Sequence, residues 1–279
     1  MDYQWYPGHM TKSIRQMQEN MKLIDLVIEI LDARIPVSSR NPDIDKLAQG
    51  KARMILMNKS DLADPELNSA WVNYFTEQGL NPVLTDARKN HSLKSLTPKI
   101  MEACKEKIER NKRRGIVNRP IRAMVAGIPN VGKSTFINSF TGTAAAKTGN
   151  KPGVTRGKQW IRLNKQVELL DTPGLLWPKF EDQTIGRNIA LIGSMRDEIL
   201  NTEELSLELI KLLAEQYPGS LNKRYGITEE GRPIDMLLSV ASARGCLKKG
   251  GETDTEKAAV ILLDEFRSGT IGRITLERP

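Results

Sequence analysis

Residues 127–135 read Gly127-Ile128-Pro129-Asn130-Val131-Gly132-Lys133-Ser134-Thr135, a complete G-x-x-x-x-G-K-[ST] phosphate-binding loop near the middle of a 279-residue chain. The pattern suits a nucleoside triphosphate. Its glycines let backbone N–H groups close around the β-phosphate, its lysine reaches the β/γ oxygens, and its serine hydroxyl ligates Mg2+. Asn130, Val131, Gly132, Lys133, Ser134 and Thr135 are therefore candidate nucleotide-binding residues, with Ser134 a candidate Mg2+ ligand. The apolar run Ile121–Ala126 predicts the strand that must precede such a loop, and Thr135–Phe140 opens a helix whose N-terminal dipole favours phosphate. A glycine-rich turn with an incidental lysine is the competing reading, and the completeness of the motif in this context disfavours it.

The loop does not say which base is bound, but an upstream tetrapeptide does. Asn58-Lys59-Ser60-Asp61 follows Arg53–Met57, a short apolar run that predicts a buried strand ending where open α/β sheets bind ligands. The Asp61 carboxylate can accept from guanine N1 and N2, the Lys59 stem can lie along the ring, and Asn58 can tie this loop to the phosphate loop. Adenine lacks that donor pair. Read alone, NKSD is equally a helix N-cap for the segment from Asp64. Thr85-Asp86-Ala87-Arg88 is the candidate backing loop, with the Ala87 N–H facing guanine O6 and Asp86 where a serine is commoner.

Ordinary GTPases place the base-reading motif after the phosphate loop. Here nothing beyond Gly174 matches it, since Asn222-Lys223-Arg224-Tyr225 lacks the aspartate. The order is permuted. Asp171-Thr172-Pro173-Gly174, after the apolar stretch Val167–Leu170, supplies a second Mg2+-side oxygen at Asp171 and a Gly174 N–H for the γ-phosphate. Pro152-Gly153-Val154-Thr155-Arg156 places the Thr155 hydroxyl in a loop of switch length, making it the third Mg2+ candidate. The alternative is a plain turn into the strand Gln159–Leu163.

The pattern predicts helix 11–21, strands Leu23–Leu31, Arg53–Met57 and Pro82–Thr85, and helices Pro65–Gln78 and Leu93–Arg110. Together they make a doubly wound, mainly parallel sheet of the P-loop type in circularly permuted order. After Pro178 the strand signals stop. Periodic segments at Gln183–Arg196, Glu203–Gln216, Ile234–Ala243 and Glu256–Phe266 predict a small all-helical domain, giving expected domains 1–178 and 179–279. Cys104 and Cys246 are too few for a disulfide framework, and a reducing cytoplasm is expected. No apolar run approaches the roughly 20 residues of a membrane span, so no membrane association is expected.

With 42 basic and 34 acidic residues the formal charge is +8, which favours a polyanionic partner through counterion release. The positive charges group at Lys105–Arg122, Lys147–Lys158 and Arg244–Lys249 with Arg267 and Arg273. A solvated face is the plain alternative for such runs. Arg34 either joins that surface or forms a structural ion pair.

These residues resemble the circularly permuted GTPases of the YlqF type, also called ribosome biogenesis GTPase A. The likeness runs through Trp5-Tyr6-Pro7-Gly8-His9-Met10, Asp32-Ala33-Arg34-Ile35-Pro36, NKSD, GIPNVGKST, PGVTRG and DTPGLLWPK. It continues through Ala243-Arg244-Gly245, Lys248-Lys249-Gly250-Gly251, Phe266-Arg267-Ser268-Gly269 and Gly272-Arg273. The resemblance implies a GTP-hydrolysing switch acting with GTP, GDP and Mg2+ in late assembly of the large ribosomal subunit. Ribosomal RNA or a ribosomal protein would meet the helical tail, and a monomer is the expected state. Leu175 stands where Ras-like proteins carry the water-orienting glutamine, and the resemblance points instead to His9 as the catalytic residue. The plain reading of His9 is a cap or packing group of the first helix, and His91 reads as a surface residue. Asn130 is a candidate oxygen donor to K+, as in potassium-activated GTPases. A signalling-type GTPase acting on a protein partner without RNA is the alternative function; an RNA-modifying enzyme would need a redox or transfer site that the sequence does not offer.

Overall fold

The computed structural model describes residues 15, 17–89, 95–142, 159–172 and 182–279. Among them, strands β1 (Leu26–Asp32), β2 (Ala52–Asn58), β3 (Pro82–Leu84), β4 (Ile121–Ala126), β5 (Gln159–Arg162) and β6 (Val167–Asp171) form one sheet in the order β3-β2-β1-β4-β6-β5. Pairing is parallel throughout except between β5 and β6. The central strands have continuous apolar runs, as strands covered on both faces require, and every residue of β1 is buried. Edge strand β5 alternates instead, with Ile161 buried between the exposed Trp160 and Arg162.

The chain steps from β1 to β2 to β3 in one direction, then returns to pair β4 on the other side of β1. Between β1 and β4 the order reverses, and such a switch point opens a crevice at the C-terminal strand ends. Register sets the neighbours there: Asp32 lies opposite Asn58, and Val125 opposite Asp171.

Helix α1 (Pro42–Leu47) was not predicted from periodicity, although its cap is explicit: Asn41 accepts from Asp43 N and proline fills N1. Helix α2 (Pro65–Glu77) is capped by Asp64, which accepts from Glu66 N and Leu67 N. The single helix expected over Leu93–Arg110 is two, α3 (Leu96–Ala103) and α4 (Lys105–Arg113), broken at Cys104. The break falls where burial ends: α3 buries Leu96 and Ile100, whereas no α4 side chain is buried. Helix α5 (Lys133–Thr141) follows the phosphate loop.

Helices α6 (Gln183–Leu191), α7 (Thr202–Gln216), α8 (Ser220–Tyr225), α9 (Pro233–Ala243) and α10 (Thr255–Ser268) form the helical part. Helix α6 stops short of the predicted Arg196 because Ser194 N turns back to Ile189 O at 3.0 Å, closing its C-terminus. Helices α7, α9 and α10 pack on one another through Leu205, Leu209, Leu213, Leu237, Leu262 and Phe266. Those side chains join the sheet's Leu26, Ile28, Val125 and Leu169 in one continuous apolar core. A smaller core on the other side of the sheet holds Leu31, Ile55, Met57, Trp71 and Phe75. After α10 the chain runs back over the sheet edge: Leu276 N donates to Arg34 O at 2.8 Å and the Trp71 indole N–H to Glu277 O at 3.3 Å.

Candidate functional site

The loop after β4 turns on two glycines. Gly127 has φ +155° and Gly132 has φ +98°; a Cβ would meet Ile30 O at 2.5 Å in the first case and Asn58 Nδ2 at 2.3 Å in the second. Gly132 also caps α5, so Lys133 becomes the first residue of the helix, two positions earlier than predicted. Lys133 is buried, and its Nζ donates to Gly127 O at 3.1 Å and Ile128 O at 2.8 Å. Burial pushes its pKa down to about 8, against the opposing pull of the Asp171 carboxylate.

The loop after β2 is tied to this one. Asn58 donates Nδ2 to Val131 O at 2.7 Å and accepts at Oδ1 from Ala87 N at 2.9 Å, so one buried amide joins three loops. The Ala87 N–H is thus engaged with Asn58, and a contact to guanine O6 from it must share or displace that bond. Lys59, at φ +57°, donates to Asn130 O and to Asp32 Oδ2, each at 2.9 Å. Ser60 Oγ donates to Thr85 O at 2.9 Å. Asp61 pairs through Oδ2 with Arg88, while its Oδ1 is buried without a hydrogen-bond partner among the described residues. A buried carboxylate oxygen without a donor is costly, and an N–H donor from a bound ligand would relieve it.

Sequence reading did not single out Asp32 as a site residue, and it placed Asp86 and Arg88 in the backing loop without giving either a partner. Asp32 is fully buried; burial pushes its pKa up, but Arg34 and Lys59 outweigh it and hold the carboxyl well below the usual range. Burial likewise raises Asp86, and hydrogen bonds from Arg88 overcome it, leaving its pKa lowered. The aspartate at the end of β1, opposite Asn58 in register, was the signal available for Asp32.

Asp171 ends β6, buried beside the phosphate-loop strand, and Thr172 Oγ1 donates to Val125 O at 2.7 Å. Ser134 and Thr135 occupy the first turn of α5, half-buried. Asn130 turns its amide nitrogen to Gly193 O at 2.6 Å, and Ser194 Oγ donates to Pro129 O at 2.6 Å, so the end of α6 docks on the phosphate loop. His9, His91, Thr155, Gly174 and Leu175 lie outside the described residues.

Arg267 and Arg273, grouped with a polyanion surface, and Arg34, read as either surface or ion pair, are all engaged within the fold. Arg34 is 1 % exposed; its guanidinium forks onto Asp32 at 2.9 and 2.8 Å and donates to Arg267 O at 3.0 Å, so the structural ion pair is the correct reading. Arg267 donates to Leu191 O and Ala190 O and pairs with Asp197 at 2.8 Å. Arg273 bonds two carbonyls near Asp61. In the tail, Lys248 and Lys249 are exposed.

Comparison with known proteins agrees with this geometry. A family model described as a 50S ribosome-binding GTPase matches residues 122–232. The ribosome biogenesis GTPase A of Priestia megaterium is 44% identical, over 100% of this chain and 98% of its own length. The mitochondrial ribosome-associated GTPase 1 of Mus musculus is 33% identical, over 98% of this chain and 90% of its own. A GNP-bound structure of YlqF from T. maritima superposes with a TM-score of 0.66 at 27% identity, covering 96% of this chain and 98% of that one.

Proposed function

This chain belongs to the ribosome biogenesis GTPase A family, and from that premise we propose that it is a nucleotide-governed switch that joins the maturing large ribosomal subunit and leaves it late in assembly. Its activity is GTP hydrolysis in ribosome assembly. The observation that carries the reading is the joining of two loops some seventy residues apart: Asn58 to Val131 O and Lys59 to Asn130 O put the base-reading and phosphate-reading loops side by side at the β1/β4 crevice.

Each residue then has a task. Backbone N–H groups of Asn130–Thr135 and the Lys133 ammonium bind the β- and γ-phosphates, and Asp61 accepts from guanine N1 and N2. Asn58, Lys59 and Ser60 hold the base loop in place. The Ser134 hydroxyl and Asp171 carboxylate are hard oxygen donors of the kind Mg2+ takes, so the residues fit that ion; Thr155 would complete the set. When bound, Mg2+ neutralises charge developing on the transferred phosphoryl group. Gly174 would hydrogen-bond the γ-phosphate, and His9 would orient or deprotonate the attacking water. Asn130 is the residue that would offer an oxygen to K+, with its amide direction fixed by the helical part through Gly193. Ribosomal RNA is the polyanion that the +8 charge and the exposed Lys248 and Lys249 suit, and residues 179–279 are the expected contact domain.

GTP turnover with and without purified large ribosomal subunits, in KCl and in NaCl, tests the reading. Subunits should accelerate wild-type turnover in KCl well above NaCl, and His9→Ala should lose about 10²-fold of that rate while still binding subunits. No stimulation of the wild type would remove the mature subunit as activator and return the protein-partner alternative. Equal rates in the two salts would remove K+.

A further inference from the structure

The loop that carries Asp61 is held from far along the chain. Ser60 O and Ala63 O accept from Nη2 and Nε of Arg273 at 3.2 and 3.0 Å. Leu62 O accepts from Ile274 N at 3.0 Å, and Asp64 N donates to Thr275 Oγ1 at 3.0 Å. Four backbone groups on either side of Asp61 thus find partners in three consecutive residues more than 200 positions downstream.

Those three residues are themselves anchored. Ile274 and Thr275 are buried, and Thr275 N donates to the Tyr217 hydroxyl at 2.9 Å, at the end of α7. The Tyr217 hydroxyl lies 3.3 Å from Asp64 Oδ2 and 3.0 Å from Thr275 O. Just upstream, α10 ends at Gly269, φ +79°, where a Cβ would stand 2.7 Å from Leu62 Cδ2. The contact is close along its whole length, and Arg273 is its exposed outer member, reaching across the surface to the loop.

We propose that Arg273, backed by Thr275, is a positioning residue for base recognition: it sets the height of the Asp61 carboxylate against the base and thereby the preference for guanine over hypoxanthine. The proposal rests on the guanine-reading role given to Asp61 above. Two parallel hydrogen bonds to N1 and N2 need the carboxylate placed within a few tenths of an ångström, because such bonds weaken steeply once distance or angle departs from ideal. Hypoxanthine lacks the 2-amino group, so a displaced carboxylate loses more with guanine than with hypoxanthine. Backbone carbonyls fixed by a forked guanidinium are a rigid mount, since both donors share one plane.

Titrations of GDP, IDP and ADP into the full chain, wild type against Arg273→Ala and Arg273→Lys, test this, with melting temperatures alongside. Arg273→Ala should weaken GDP about tenfold and IDP less, so that the Kd(IDP)/Kd(GDP) ratio falls several-fold. Arg273→Lys, which can satisfy one carbonyl, should keep an intermediate ratio. An unchanged ratio in Arg273→Ala would overturn the proposal whatever happens to the melting temperature, because a merely structural arginine alters stability and not base choice. Should Arg273→Ala fail to fold, Arg273→Gln carries the same expectation and the same refutation. A wild type that does not prefer GDP to ADP would overturn the guanine reading itself, and this inference with it.

Discussion

Lys133 is where nucleotide affinity and pH meet. Its ammonium is buried against two backbone carbonyls, and its pKa sits at about 8, below the usual lysine value of 10.5. Between those two values the unfolded chain binds more protons than the folded one, so the folded state gains stability as pH rises through that window. Below about pH 8 the full cost of the buried charge is present. A bound phosphate reverses the balance by favouring the charged amine. GDP binding should therefore draw a proton onto Lys133 at pH 8.5, and far less at pH 6.5 where that amine is already charged. Calorimetry in two buffers of different ionisation enthalpy checks this; equal heats at pH 8.5 would refute it. At this scale the sequence was legible in the tie between the two loops, expected of Asn58 and present as its bond to Val131 O. It misled at Arg267, whose partners Leu191 and Asp197 are supplied by the fold, so that charge pattern reads the same for a guanidinium spread on a surface and one spent on carbonyls.

Helix α6 shows what an element needs beyond its own sequence. Its last carbonyls, Ala190 O and Leu191 O, accept from the Arg267 guanidinium, which also pairs with Asp197 and offers its own carbonyl to Arg34. Arg267→Ala should cost about 2–4 kcal/mol in chemical denaturation, as expected for charge-assisted hydrogen bonds lost at a part-buried site. Arg267→Lys should recover little, because an ammonium cannot reproduce the fork; full recovery would show that charge alone matters. The elements were legible where an apolar run is continuous, as in β1 and β4, or a 3.6-residue period is strong, as in α7. The break at Cys104 was not, because a 3.6-residue period runs through it unchanged and only burial, a tertiary property, ends there. The short helix α1 carried an Asn-Pro-Asp start signal but too little periodicity to register.

Across the whole molecule, the helical part and the sheet share one apolar core, and the segment after α10 returns to the sheet edge at Leu62, Arg34 and Trp71. Unfolding should therefore be a single transition, with near- and far-ultraviolet circular dichroism losing signal together on heating. Two separated transitions would show that the sheet and the helices stand independently. The division into sheet and helices was visible in where strand patterns stop, whereas their mutual dependence was not, since it rests on contacts such as Ile274 to Leu62 that join distant stretches of sequence. The same return path has a meaning in time. Arg273 follows Ser60 by 213 residues. At about 5–20 residues per second, translation leaves an interval of about ten to forty seconds in which the Asp61 loop exists but its mount does not. Through that interval a nascent copy of this GTPase lacks the Arg273 mount, so its preference for guanine over hypoxanthine should reach full value only after residues 273–275 have been made.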